Sequence, residues 1–125
     1  MQFYDRIGYH EYEGMVFCDD EKPRLAASLG PHRLMLLRHH GALICGRSIA
    51  ESYVLTDDLE KACRSQVLAM QSGGSVLLPD PAVCEHTAQQ FEHLPQPRGE
   101  HRDWPAALRR LDRMGIDYKG NGASP

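Results

Sequence analysis

Residues 33–46, RLMLLRHHGALICG, hold two short apolar runs separated by two histidines and a glycine. Runs this short, apolar throughout rather than alternating, read as strands buried on both faces or nearly so. HHG then falls at the junction between them. Gly41 can adopt backbone angles that other residues resist, so it suits a bend or bulge that turns the side chain of His40 away from the ladder. That placement would suit a metal ligand, although one imidazole alone does not make a site.

The next segment is marked by its own punctuation. Ser48 and Glu51 form an S-x-x-E capping box, and Ile49, Leu55, Leu59, Ala62, Cys63 and Met70 recur at helical spacing up to Gly73-Gly74. A helix over about 49–72 is predicted, long enough to lie across a sheet face. Acids at its front, Pro23 in the first turn and Gly30 as a stop predict a shorter helix over 20–29. Asp80 as a cap with Pro81 at the first helical position predicts a third over 81–93. Asp103 is expected to cap a fourth, WPAALRRLDRM, with Trp104, Leu108, Leu111 and Met114 as its apolar stripe and Gly115 as its end. The aromatic and β-branched stretch 3–17 reads as extended. LPQPRGEHR, 94–102, reads as a linker, and DYKGNGASP at the end holds little to bury.

Composition narrows the function classes. The chain has 125 residues, 42% of them hydrophobic, and a formal net charge of −3. That size suits one small domain. Scattered basic residues and a mildly acidic balance argue against nucleic acid or an anionic membrane as partner. No run approaches the ~20 apolar residues of a membrane span, and the N-terminus lacks the pattern of a signal peptide, so a cytoplasmic location is expected. Cys18, Cys45, Cys63 and Cys84 form no CxxC pair and are read as reduced, with Cys45 and Cys63 as small core residues. No internal repeat is present.

The ordered set YHEYEG (9–14), LMLLRHHGALICGRSIAESY (34–53) and LEKACRSQ (59–66) resembles the class II aldolase/adducin family, in particular its bacterial adducin-like branch. The similarity runs on to the helix at 81–91 and the WPAALRRLDR tail. The resemblance implies an α/β fold, part of a three-layer α/β/α domain with a mainly antiparallel sheet and flanking helices. Residues 1–95 would form the C-terminal part of that domain, and 96–125 a linker, a short terminal helix and a tail.

In catalytic members of such a family, a histidine followed by glycine after a hydrophobic strand is one zinc ligand; the matching position here is His40, followed by Gly41. Asn is common where this chain has His39, which leaves two imidazoles competing. The family's other two ligands come from an upstream His-x-His pair, and its catalytic acid lies further upstream. No His-x-His occurs in these 125 residues. The resemblance therefore implies a C-terminal half-domain, an incomplete or internally started product, whose catalytic residues are not identified. An intact version would be a zinc-dependent lyase, in which the ion acts as a Lewis acid on the oxygens of a small hydroxy-carbonyl or sugar-phosphate substrate and stabilises the enediolate left by C–C cleavage. Its sites would lie near subunit boundaries of a homo-oligomer, a cyclic tetramer.

Tyr12 and Glu13 are the candidates for lining the substrate cleft, against a packing role for the tyrosine. His10 lies beside Glu11 and Glu13 and would approach the junction if its strand neighbours the 33–46 pair. His32, His86, His93 and His101 read as surface side chains. The competing reading of His40 is a half-buried histidine bonded to a neighbouring carbonyl. The competing reading of the chain is a non-catalytic, adducin-like binding or assembly module, because fold alone does not settle function.

Overall fold

The computed structural model describes residues 1–15, 20–94 and 102–119. Cys18, most of the 94–102 linker with His101, and the last six residues lie outside that range. The chain runs β1 (Ile7–His10), α1 (Glu21–Leu29), β2 (Leu34–Leu37), β3 (Gly41–Ile44), α2 (Ile49–Gln71), α3 (Pro81–Glu92) and α4 (Trp104–Arg113). The expected α/β class holds.

Both apolar runs are strands, and the sheet order β1-β2-β3 makes β2 central. Consecutive side chains of a strand point to opposite faces. Leu34 at 4% and Met35 at 0% exposure therefore show that β2 is covered on both sides. Pairing is mixed: β1 and β2 run parallel with Ile7 opposite Leu34, and β2 and β3 run antiparallel with Leu37 opposite Gly41. The expectation of a mainly antiparallel sheet is corrected for these three strands. The reason is α1, a helical crossover that carries the chain back to start β2 in the direction of β1.

Gly8 allows α1 to sit close. A Cβ there would lie 2.6 Å from the Ser28 carbonyl oxygen, so α1 rests directly on the β1 backbone. On the other face, Leu34 and Val54 of α2 line a cavity of about 560 Å³ that also reaches Phe3, His32 and Phe91. His32 is thus half-buried rather than at the surface. Arg6 ties the N-terminal segment to α3 through Glu85 (2.8 Å) and Glu92 (2.7 Å). Tyr53 meets Trp104 edge to face at 5.3 Å, which docks α4 on α2.

Three further expectations change. Of the stretch 3–17, residues 3–15 are described, and among them the strand is Ile7–His10; before it the chain turns, with Tyr4 N–H donating to Met1 and Arg6 N–H to Phe3, and Asp5 at φ 50°. Cys45 and Cys63 are exposed, and Cys84 is the buried thiol among the described residues, at 6%. Cys45 follows edge strand β3, and Cys63 lies in the part of α2 beyond its buried residues Val54 and Leu59. Asp103 caps nothing with its side chain; its carboxylate pairs with Arg102 at 2.7 Å.

Candidate functional site

The parallel strands β1 and β2 end on the same side of the sheet, where the residues after β1 meet the turn between β2 and β3. In open α/β sheets the carboxyl ends of parallel strands are where ligands collect. The turn is a three-residue hairpin connection, Arg38-His39-His40, closed by His40 N–H donating to the Leu37 carbonyl at 3.1 Å. The left-handed residue in it is His39, at φ 58°. Gly41 opens β3 opposite Leu37, so the conformational relief expected from Gly41 is supplied two residues earlier, by His39.

His39, His40 and Arg38 are exposed, which removes the half-buried reading of His40. Its ring stacks on Tyr12, with centroids 6.2 Å apart and planes inclined by 25°. Of the two adjacent imidazoles, His40 is the one with this aromatic contact, and Tyr12 itself is 53% exposed. The turn is tied to the end of β1 and to the residue after it: Arg38 N–H donates to the His10 carbonyl at 3.0 Å, and the Arg38 guanidinium pairs with Glu11 at 2.7 Å. His40 and Tyr12, distant in sequence, are thus brought together by the β1–β2 register.

Glu13 turns toward α1 instead. Arg24 donates to both of its oxygens, at 3.1 and 2.9 Å from Nε. These hydrogen bonds, opposed by burial and aided by the Arg24 charge, hold the Glu13 carboxyl below the usual range. Beside it, His10 is 6% exposed, with Nδ1 3.0 Å from the Ser28 hydroxyl. Its Nε2 lies 3.6 Å from Glu21 and 3.7 Å from Glu13. Among the described residues, His10, Glu13 and Glu21 are the one group that could offer three ligand atoms to a cation, all within 4.8 Å of one another.

His40 belongs to no such group among the described residues. A lone imidazole does not make up the three protein ligands of a catalytic zinc site, so the residues present at His40 do not fit a zinc ion without further ligands. The sequence reading picked out His40, Tyr12 and Glu13, of which the first two are joined. It passed over Glu21 and Ser28. Their signal was Gly8, two residues before His10 on the same face of β1 and marking where a helix must come close.

The profile of the Class II Aldolase and Adducin N-terminal domain matches residues 1–67. A Pseudomonas aeruginosa protein whose name places it in aldolase class 2 is 37% identical over 117 residues, covering 90% of this chain and 45% of that protein. Alpha-adducin of Rattus norvegicus is 27% identical over 124 residues, covering 87% of this chain and 16% of the adducin. A crystal structure of an aldolase II superfamily protein from Pseudomonas syringae superimposes with a TM-score of 0.83 at 36% identity, over 94% of this chain and 47% of the other. The chain thus spans about half the length of its bacterial relatives.

Proposed function

From the premise that this chain belongs to the class II aldolase and adducin family, we propose that it supplies one part of a metal-dependent lyase site that cleaves a C–C bond in a small hydroxy-carbonyl or sugar-phosphate substrate. The observation that carries the reading is His40: an exposed imidazole at the carboxyl ends of two parallel strands, stacked on Tyr12. In this reading His40 is one zinc ligand, its remaining partners come from other residues of the assembly, and Tyr12 and Glu13 border the substrate. The Tyr12 ring limits the orientations of the His40 ring, so less freedom is lost when a metal binds. Arg24 keeps Glu13 ionised, so near a substrate that carboxylate accepts hydrogen bonds from hydroxyls.

The higher identity to the aldolase class 2 protein than to alpha-adducin favours the enzyme over the assembly module. Residues 1–95 are the domain portion in this proposal, and 96–125 the linker, terminal helix and tail. The working form is a cytoplasmic homo-oligomer, a cyclic tetramer, that takes a small-molecule substrate. Its apolar supply is visible on α2 and the segment after it, where Leu68 is 58%, Met70 63% and Leu77 92% exposed.

The test is retro-aldol cleavage of a panel of ketose and aldose phosphates by the full product of the encoding gene, with added zinc and with a chelator. Cleavage that the chelator removes, and that His40→Ala lowers at least about 100-fold, is expected, since loss of a ligand costs no less than loss of the groups behind it. Undiminished turnover by His40→Ala, or no cleavage of any panel member with any divalent ion, would overturn the reading.

A further inference from the structure

His10 closes β1 with its side chain on the face that carries Gly8, under α1. The side chain is 7% exposed. Among the described residues, its Nε2 is the one buried side-chain nitrogen or oxygen without a hydrogen-bond partner. An unmade bond at a buried polar atom is costly, because the water that would have satisfied it is gone, so what faces that atom matters. Two carboxylate oxygens do, Glu21 Oε1 at 3.6 Å and Glu13 Oε1 at 3.7 Å. Both separations are too long for hydrogen bonds.

They suit a shared cation better. Ligands about 2.1 Å from a tetrahedral zinc lie roughly 3.4 Å from one another, within a few tenths of an ångström of both contacts to Nε2. The other ring nitrogen is also arranged for this. Nδ1 lies 3.0 Å from Ser28 Oγ; with the proton on Nδ1 donated to that hydroxyl, the Nε2 lone pair faces the carboxylates, as ligating histidines require. Arg24 grips Glu13 from outside, and a carboxylate has lone pairs for both a guanidinium and a metal. Two carboxylates, one guanidinium and a neutral imidazole leave a net charge of −1, which a divalent ion offsets.

We propose that His10, Glu13 and Glu21 form a binding site for a divalent cation of the zinc class, with His10 Nε2 and one oxygen from each glutamate as ligands, a water in the fourth position, and Ser28 and Arg24 orienting the ligands. This site does not include His40 and does not depend on the lyase reading, although it shares Glu13 with the substrate border proposed there. It pins the start of α1 to the end of β1 and fixes the loop that carries Tyr12.

The test is a zinc titration of the purified 125-residue chain after chelator treatment and removal of the chelator, read by calorimetry and by thermal unfolding, for the parent, Glu21→Gln and His40→Ala. Cobalt(II) is the second probe, its visible absorption reporting low-coordinate nitrogen and oxygen ligation. The expected result is one tight zinc per chain that raises the unfolding temperature, survives His40→Ala, and is weakened at least about tenfold by Glu21→Gln. Because Glu21→Gln removes a charge but little volume, its circular dichroism spectrum verifies the fold. Zinc binding abolished by His40→Ala and untouched by Glu21→Gln would place the ion elsewhere. Binding indifferent to both variants would mean an adventitious surface ion. Absence of binding, with nitrogen NMR showing a doubly protonated His10 ring, would make the occupant a proton. Each of these overturns the proposal.

Discussion

His39 occupies the one position of the β2–β3 turn with a positive φ, 58°. The left-handed region is costly for most side chains but is tolerated by Asn, whose short amide can bond locally. That accounts for Asn at the matching position of the family resembled. His39→Asn is therefore expected to leave stability unchanged or raise it by roughly 0.5 kcal/mol, read from denaturant midpoints; a loss above about 1 kcal/mol would mean that the imidazole makes a contact of its own. Gly8 predicts the opposite sign. With a Cβ 2.6 Å from a backbone oxygen, Gly8→Ala must push α1 off β1 and is expected to cost about 1–3 kcal/mol. Glu51 gives a pH dependence. Burial raises its pKa, but hydrogen bonds from Arg47 and the charges of Arg33 and Arg47 outweigh that and hold it below its usual value. A depressed carboxylate contributes stability that is present above its unfolded pKa and is lost as pH falls through the folded one. Glu51→Gln should accordingly be less stable than the parent at neutral pH, with the gap closing below about pH 4.5; a gap constant with pH in urea melts would contradict the assignment.

Helix α2 shows how far a pattern can be trusted. Its start is local chemistry: the Ser48 hydroxyl accepts from the Glu51 N–H at 3.1 Å, and Ser48→Ala is expected to cost about 1 kcal/mol. The Glu51 carboxylate, however, takes the Arg47 N–H and side chain and the Arg33 guanidinium in place of the reciprocal bond to Ser48. Its length explains the rest. Twenty-three residues extend about 34 Å, whereas a four-residue strand spans about 13 Å. The helix therefore overshoots the sheet, and Val67, Leu68 and Met70 are exposed although they continue the apolar content of the stripe. Replacing Leu68 and Met70 together by Glu should change the stability of the monomer by less than about 0.5 kcal/mol per site while lowering the sedimentation-derived mass of a self-associating parent. An unchanged mass distribution would exclude this helix from the oligomer contact.

Three short strands, four helices and a buried set of six apolar side chains, Leu34, Met35, Val54, Leu59, Cys84 and Ala88 among the described residues, make a small core. Small cores bury a modest fraction of the chain's surface and gain from association. If the chain self-associates, its unfolding temperature should rise with protein concentration, because association stabilises by mass action; a concentration-independent, sharp transition of a monomer would show that this core suffices alone. No helix among the described residues is long and apolar enough to cross a membrane.

The amino-acid order alone specified whatever depends on a few neighbouring residues. The Ser48 cap, Asp80 accepting from Ala82 N–H at 2.7 Å before Pro81, the stop at Gly30 and the two strands around HHG were all legible, because caps, turns and short apolar runs act over three or four positions. Contacts between distant segments were not. Periodicity marks a face as apolar without saying which partner covers it, so Cys45 and Cys63 read as core and are exposed, and the parallel pairing of β1 with β2 was missed. His40 could be read from its place beside a strand and a glycine, but its stacking on Tyr12 needed the strand register. His10, Glu13 and Glu21 converge only because α1 folds back over Gly8, and no spacing along the chain records that approach.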